Sequence, residues 1–462
     1  MHKLYKKVLA IISAIENNSV FSSVKKGFVL LIPLLLIGAI ALMLRNFPAE
    51  AVQQFYAGAG AGLFDLLLYI YNATFGFISA YLVLSVSYYY SFTFHKNNFS
   101  LQVTSMIVAF LCFLATFGGA PELTDFGSLG VFSAIICGLL GPKLFFAFLR
   151  LFRGKSRSHA FGADMDFRNT IIAIVPIMMC LAVFLAFHIF LNAVFGVRNL
   201  NELIANGLAA LFENMVSGPG SGILFLLMLN LLWFFGIHAG NAFDYVSELV
   251  FVPANEDPSA IVSKTFMDNF ALIGGSGAVI CLLLALLIAA RTKSSRQLSF
   301  AALPTAIFNI NEILVYGLPV VLNPVMLIPF ITVPIVSLLI AYGATAVGLL
   351  PVVTETVNWT TPPFISGYLA TGGYGGAVAQ AVIIAVGTAI YVPFVRLSEK
   401  IQYTREVLLV GKMTEKFAKA QNDGIKIEFL DTYDDLSVTA KGMLSRLRAD
   451  VAKKKVALFY QP

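Results

Sequence analysis

The sequence predicts an all-α polytopic membrane protein. Of its 462 residues, 58% are hydrophobic and only 12% are charged, and the mean hydropathy is +0.83. Soluble domains carry roughly 25% charged residues, so this supply of charge cannot cover a surface that faces water. The 41 Phe and 17 Tyr also exclude a disordered chain, which has few aromatic residues. The composition therefore indicates that most apolar side chains pack against other helices or against lipid.

A membrane-spanning helix needs about 20 mostly apolar residues, and the hydropathy pattern predicts about ten such helices. We expect the loops that are rich in Lys and Arg, at 3–7, 25–26, 143–157 and 291–296, to face the cytoplasm. The formal net charge of +6 has the same explanation, so no nucleic-acid partner is predicted. The predicted spans are 27–44, 70–92, 101–117, 127–150, 170–195, 221–238, 271–290, 302–322, 325–350 and 376–396.

Residues 1–19 precede the first span and carry Lys3, Lys6 and Lys7 on a short apolar pattern. This combination is typical of an amphipathic helix that lies on the cytoplasmic face of the membrane. The four cysteines stand in apolar stretches without a CxxC motif, so we expect small buried side chains and neither a disulfide framework nor a metal site. They are Cys112, Cys137, Cys180 and Cys281.

Region 301–395 differs from the other spans because it contains only two charged residues, Glu312 and Glu355, among many prolines and glycines. Prolines break continuous helices, and broken segments occur at membrane depth where they line a cavity inside the protein. Transporters place their binding sites at such segments. A carboxylate in this environment is costly, which makes Glu312 a candidate functional residue.

The chain changes character at Arg396, because residues 396–462 hold 13 basic and 9 acidic side chains. We therefore predict a transmembrane domain over 20–396 and a cytosolic helical linker over 397–455. The last residues, 456–462, form a short apolar run that is typical of a strand. We expect that the natural protein continues beyond it.

Several short motifs follow one another in the chain. Together, and in this order, they resemble the enzyme IIC membrane component of bacterial phosphotransferase sugar systems, in the branch that includes the cellobiose, diacetylchitobiose and lactose components. The resemblance covers about residues 20–396. The motifs are Trp233–His238, Phe266–Phe270, Gly274–Gly277, Phe308–Glu312, Tyr316–Pro319, Leu322–Pro324, Trp359–Pro363 and Ser366–Gly373.

The resemblance implies a fold of ten transmembrane helices with two re-entrant hairpins, assembled as a homodimer. It implies an occluded cavity for a disaccharide in each protomer and an elevator-like movement. It also implies a phosphorylated IIB partner that transfers phosphate to the 6-hydroxyl of the sugar. No cofactor is implied for this chain.

Four residues are the candidate sugar ligands: His238, Asn311, Glu312 and Trp359. A sugar hydroxyl both donates and accepts, so it suits a carboxylate, an amide and an imidazole together. Glu312 could accept from the 6-hydroxyl, and His238 could orient or deprotonate the same group. The indole of Trp359 could stack on a pyranose face. The resemblance supports His238 and Glu312 most directly.

Each candidate also has a structural alternative. His238 could be a satisfied helix-end residue, and Glu312 a helix cap or a protonated carboxyl. Asn311 could merely bond the broken backbone of a hairpin, and Trp359 could be an interfacial anchor. Among the lower-ranked residues Asp268 and Asn269, the latter could reach the sugar or serve a loop. Residues 274–277 suggest close helix packing or a hinge, and not a phosphate loop, because no Lys-Ser/Thr follows them.

The chain departs from the family pattern at two positions. Ile313 stands where a proline usually follows the Asn-Glu pair, and Asn358 stands where a proline usually precedes Trp359. Both positions fall at the hairpins that would form the site, so they bear on coupled uptake and on the identity of the sugar.

Residues 447–462 are similar to the opening of an EAL-type cyclic di-GMP phosphodiesterase domain. The catalytic glutamate and metal carboxylates of such a domain are absent, so no hydrolysis by this chain is expected. Two functions therefore compete. The favoured hypothesis is a disaccharide-binding membrane sensor from a phosphodiesterase fusion. The alternative is a stand-alone sugar permease that works with IIA and IIB partners.

Overall fold

Helices dominate the part of the chain that the structure describes, and no strand occurs there. The computed structural model describes residues 18–47, 49–94, 98–119, 121–153, 165–212, 218–234, 243, 246–318, 320, 323–353, 355–422, 440 and 442–443. The α-helices of eight or more residues are Ser19–Arg45, Glu50–Ala57, Ala61–Thr74, Ile78–Ser91, Phe99–Ala115, Val131–Arg153, Met165–Phe195, Leu200–Ala210, Pro219–Phe234, Val279–Ala289, Lys293–Ile307, Pro324–Ala346 and Tyr374–Asn422. Shorter α-helices are Lys264–Phe266, Glu312–Gly317 and Ile365–Thr371.

Side-chain caps mark where several of these helices begin. Asn18, Asn98, Asn199 and Asn323 each place a side-chain oxygen on backbone N–H groups of the first turn, and Thr292 does the same. The first N–H groups of a helix have no partner within it, so these caps satisfy donors that would otherwise be lost in an apolar environment.

Within the described residues, six helices are long and apolar enough to cross a membrane, and three shorter apolar helices accompany them. Large apolar side chains such as Ile37, Met178 and Ile189 are exposed on their outer faces, as expected for contact with lipid. The all-α polytopic class is thereby confirmed, whereas the count of ten spans and the two hairpins stay predictions. The six are Ser19–Arg45, Ala61–Ser91 (two α-helices joined by the 3₁₀ turn Phe75–Phe77), Ser128–Phe152, Ile171–Phe195, Pro324–Ala346 and Tyr374–Glu415.

The helices of the first half pack around one apolar core. Small residues allow the closest approach: a Cβ on Gly141 would lie 2.8 Å from the Cα of Ala109 on the neighbouring helix. The four cysteines are buried and free, as predicted. Core side chains include Phe28, Leu82, Val83, Cys112, Phe113, Cys137, Phe145 and Phe146.

Two predicted spans in the second half of the chain are interrupted by turns. In 271–290 the helix occupies only Val279–Ala289, and residues before it form tight turns. In 302–322 one helix ends at Ile307 and a separate short one begins at Glu312. The reason is local: Gly274, Gly275, Gly277 and Asn309 have positive φ angles, which a continuing helix cannot accommodate.

The chain divides into two compact units, Met1–Phe394 and Val395–Pro462. The Tyr374–Asn422 helix contains the boundary between them. Three expectations lie outside the described residues, wholly or in large part. They concern the amphipathic helix over 1–19, the linker beyond residue 422 and the strand over 456–462.

Candidate functional site

A cavity of about 200 Å³ lies inside the first unit. Its described wall combines aromatic and aliphatic side chains with a few polar groups, which is the usual make-up of a small-molecule site. The wall is formed by Ala39, Leu42, Tyr71, Phe75, Phe225, Leu229, Trp233, Ser247, Lys264, Asp268, Leu272, Gly275, Ser276, Asn309, Asn311, Glu312 and Trp359.

One wall of the cavity is a face of the Pro219–Phe234 helix. Phe225, Leu229 and Trp233 recur at intervals of four residues, so successive turns present them to the same side. Asn230, on the same helix, is fully buried, and its side-chain oxygen accepts from the backbone N–H of Gly277 at 2.8 Å. The helix is therefore fixed to the glycine segment opposite.

The glycine segment, residues 274–277, approaches its neighbours more closely than a side chain would allow. A Cβ on Gly277 would lie 2.1 Å from the ring of Phe330, and one on Gly275 would lie 2.6 Å from the carbonyl oxygen of Asn309. The positive φ angles of both residues add a conformational requirement for glycine. Close packing, one of the two readings from the sequence, explains this motif in the structure.

Asn309 organises the other broken segment. It has a φ of 62°, in the left-handed region that Asn tolerates better than most residues. Its side-chain oxygen accepts from the N–H of Gly274 at 2.7 Å. Its side-chain N–H groups donate to the carbonyl oxygens of Trp359 at 2.5 Å and Thr361 at 3.0 Å. One side chain thus joins three segments of the cavity wall.

Asn311 and Glu312 follow and are only 5% and 4% exposed. The Asn311 side chain donates to the carbonyl of Ser276 at 3.2 Å, and its own carbonyl accepts from the N–H groups of Leu314 and Val315. Asn311 therefore bonds the broken backbone, as one alternative proposed, and also lines the cavity. Glu312 begins the short helix with its carboxyl group buried beside the cavity.

Trp359 lines the cavity from the segment that follows the Pro324–Ala346 helix, and it is 40% exposed. The turn that contains Trp359 is closed by Asn358, whose side-chain oxygen accepts from the N–H of Thr360 at 3.0 Å and from its hydroxyl at 2.8 Å. Such an Asx turn holds the backbone in place of the rigidity that a proline would supply.

The departure at Ile313 also has a local explanation. Ile313 is the second residue of the Glu312–Gly317 helix, and the backbone N–H groups of a first turn have no intrahelical acceptor. A proline is accommodated there without being required. Neither departure from the family pattern therefore disrupts the wall of the cavity.

Two π-helical turns bring further polar groups to the cavity. The N–H of Val252 bonds the carbonyl of Ser247, and the N–H of Leu272 bonds that of Met267, both at 2.9 Å and five residues apart. Ser247 and Asp268 lie within these turns and line the cavity. Single π turns of this kind are frequent at functional sites.

Lys264 and Asp268 form an ion pair on the cavity wall, with the ammonium donating to the carboxylate. Their side chains are 27% and 13% exposed, respectively. They stand four residues apart, so they occupy neighbouring turns on the same face of their helical segment.

The structure unites three of the four predicted ligands, Asn311, Glu312 and Trp359, at one cavity. The fourth, His238, lies outside the described residues. Of the lower-ranked residues, Asp268 lines the cavity. Asn269 is buried, with its side chain donating to the carbonyl of Thr265 at 2.8 Å, which supports the structural alternative.

Sequence reasoning did not single out Lys264, Trp233, Ser247 or Asn309 as site residues. The i,i+4 spacing of Lys264 and Asp268 was a usable signal, since oppositely charged residues four apart can pair on one face of a helix. The role of Asn309 depends on a left-handed backbone and on contacts about 50 residues away, which no local pattern shows.

No group of three or more potential metal ligands occurs within the described ranges.

Apolar helices long enough to cross a membrane, together with an internal cavity lined by apolar and a few polar side chains, define a polytopic membrane protein. Residues 25–334 match the family described as "Phosphotransferase system, EIIC". The chain belongs to this family, whose members are multi-pass proteins of the bacterial inner membrane. The resemblance inferred from the ordered motifs is confirmed.

Several relatives match most of the chain. The lichenan permease IIC component of Bacillus subtilis (strain 168) is 28% identical over 426 residues, which is 86% of this chain and 93% of the relative. The cellobiose-specific EIIC component of Geobacillus stearothermophilus is 28% identical over 428 residues, or 85% and 93%. The lactose-specific EIICB component of Lacticaseibacillus casei is 23% identical over 452 residues, or 94% and 76%.

Among solved structures, the transporter ChbC resembles this chain in fold. ChbC is the IIC component of the N,N'-diacetylchitobiose-specific phosphotransferase system. The TM-score is 0.51 at 24% identity, with 87% of this chain and 99% of ChbC covered. The comparisons favour the permease alternative over the sensor hypothesis, and they give no support to a phosphodiesterase fusion. The residues that suggested an EAL domain, 447–462, lie outside the described part of the chain.

Proposed function

We propose that this chain is the sugar-translocating permease of a phosphotransferase system, with a β-linked disaccharide of the cellobiose or chitobiose type as its substrate. The observation that carries the proposal is the convergence of Asn311, Glu312 and Trp359 on one cavity. They come from two broken segments that Asn309 ties together. The names of the relatives, which include cellobiose and lichenan components, support this substrate class.

Each wall group has a role that fits a sugar. Glu312 accepts a hydrogen bond from the 6-hydroxyl of the bound sugar, and the amide of Asn311 complements a neighbouring hydroxyl. The half-exposed indole of Trp359 stacks on a pyranose ring, while Trp233 supplies a second aromatic surface. His238 orients the 6-hydroxyl as part of the same proposal.

The chemical step belongs to the proposal too. The 6-hydroxyl oxygen attacks the phosphorus of a phosphocysteine on a IIB partner, so that an O–P bond forms as the S–P bond breaks. The hydroxyl proton passes to Glu312 or His238, which act as general base. The chain works as a homodimer in the membrane, with the region after Arg396 in the cytosol.

Binding is tested with the purified chain in detergent. The sequence contains two tryptophans, Trp233 and Trp359, and both line the cavity. We therefore expect cellobiose and chitobiose to change the intrinsic tryptophan emission in a saturable manner. Glu312→Gln should weaken binding by about 10- to 100-fold, because hydrogen bonds to charged groups contribute about 1.5–3 kcal/mol.

Glu355→Gln is the matched control, because Glu355 is the other carboxylate of the region and is exposed away from the cavity wall. This variant should bind normally. Equal binding by unmodified protein and Glu312→Gln would refute the site assignment.

Transport is tested in sealed vesicles supplied with phosphorylated IIB. A permease accumulates sugar phosphate inside, and Glu312→Gln should abolish this accumulation. Saturable binding without accumulation would refute the permease and favour the sensor.

A further inference from the structure

The ion pair between Lys264 and Asp268 is the feature of the cavity that the proposed function leaves without a role. Three described wall residues are of charged types: Lys264, Asp268 and Glu312. Two of them are engaged with each other, and both are partly exposed on the cavity.

The pair retains capacity for a ligand. An ammonium group has three N–H donors and a carboxylate has about four acceptor positions, so one contact between them uses a small part of either. The remaining donors and acceptors stand side by side. A vicinal diol has the complementary arrangement, because one hydroxyl can accept from Lys264 while its neighbour donates to Asp268.

Backbone contacts fix the pair in position. The hydroxyl of Ser263 accepts from the N–H of Phe266 at 3.2 Å, and the side chain of Asn255 accepts from the N–H of Thr265 at 3.0 Å. One turn later, the side chain of Gln380 donates to the carbonyl of Asn269 at 2.7 Å. Binding groups held in this way need little reordering when a ligand arrives.

We infer that the Lys264–Asp268 pair is a specificity-determining subsite that binds a vicinal diol and selects uncharged sugars over sugar acids. The inference rests on the proposed function, since it concerns the same cavity. The subsite distinguishes neutral sugars from sugar acids because its own charges compensate each other. The ammonium of Lys264 is already matched by Asp268, so the subsite offers no unmatched cation to a carboxylate on the sugar.

The test is a change of preference in Asp268→Asn. Asparagine keeps the shape of the side chain and removes its charge, which leaves the cation of Lys264 uncompensated. The probes are cellobiose, cellobionate and glucuronosyl-β-1,4-glucose, whose carboxylates lie at opposite ends of the molecule. Their affinities are measured by tryptophan emission, and monodisperse elution verifies folding.

The unmodified chain should prefer cellobiose over both acids. In Asp268→Asn, cellobiose should bind about 10- to 100-fold more weakly, because a charge-assisted hydrogen bond is lost. For at least one acid, the affinity relative to cellobiose should rise about tenfold. The double variant Lys264→Gln/Asp268→Asn should lose this gain, because no cation remains.

A structural pair also exists away from the cavity wall and serves as the control. Arg198 and Glu122 form an ion pair, and neither residue lines the cavity. Glu122→Gln should leave the preference between cellobiose and the acids unchanged.

The outcomes separate the two proposals. Normal binding of cellobiose by the unmodified chain, together with an unchanged acid preference in Asp268→Asn, overturns the subsite and leaves the permease intact. Failure of the unmodified chain to bind any neutral disaccharide overturns both. A gain in acid preference that persists in the double variant also refutes the role of Lys264.

Discussion

Replacement of Asn309 by alanine should damage both the stability of the protein and its sugar site. The side chain satisfies two buried backbone groups, the N–H of Gly274 and the carbonyl of Thr361, and one partly buried group, the carbonyl of Trp359. Each group left without a partner costs about 1–3 kcal/mol. Since the carbonyl of Trp359 is only partly buried, the lower half of that range, about 1–2 kcal/mol for each group, applies, and the three together cost about 3–6 kcal/mol.

The backbone adds a second cost. Asn309 has a φ of 62°, and a left-handed alanine is about 1–2 kcal/mol less favourable than one in the right-handed region. Asn309→Gly removes the hydrogen bonds without this strain, so it should be less destabilised than Asn309→Ala by about 1 kcal/mol. Comparison of the two variants separates the side chain from the backbone.

The assay is thermal unfolding in detergent, followed by tryptophan emission, with cellobiose titration below the transition. Asn98→Ala is the control, because Asn98 caps a helix through one bond to Leu101 and lies away from the cavity wall. A lost cap costs about 1 kcal/mol. The thermal midpoint should therefore be highest for Asn98→Ala, lower for Asn309→Gly and lowest for Asn309→Ala. A midpoint for Asn309→Ala equal to that of Asn98→Ala would refute the reasoning.

Two further predictions concern the glycine segment. Gly277→Ala should lower the thermal midpoint strongly, because its Cβ would lie 2.1 Å from the ring of Phe330 at a φ of +79°. Gly343→Ala is the control, since nothing lies within 4 Å of its added Cβ, and it should leave the midpoint unchanged or raise it. A tolerated Gly277→Ala would contradict the packing. Tyr391→Phe removes a 2.6 Å hydrogen bond to the carbonyl of Gly277 and should cost about 1–3 kcal/mol, visible in the same melts. An unchanged midpoint would mean that water replaces the hydroxyl.

Composition and hydropathy were sufficient to predict the fold class. Lipid requires long apolar helices, and these are recognisable as apolar stretches in the sequence. The broken character of region 301–395 was also predictable from its prolines and glycines. The residues at which the helices of this region begin and end were not predictable. The predicted span 302–322 contains the break at Asn309, whose left-handed backbone is stabilised by partners far along the chain.

The candidate site was predicted in part. Asn311, Glu312 and Trp359 carry recognisable motifs, and they meet at the cavity. The role of Lys264 was harder to predict from the sequence. Its partner Asp268 lies in a π turn, and both residues line the cavity. Hydrophobic periodicity assumes 3.6 residues per turn and therefore cannot anticipate where a helix widens.

The π turn over Met267–Ala271 has an evolutionary consequence. A π turn contains one residue more than the α-helical turn that it replaces, so deletion of a single codon could restore the regular helix. Every side chain beyond the deletion would then rotate by about 100° around the axis. Gly274–Gly277 would be turned away from Asn309, although no wall residue had been substituted. Families with this turn can thus remodel the cavity through length changes that a comparison of substitutions alone would miss.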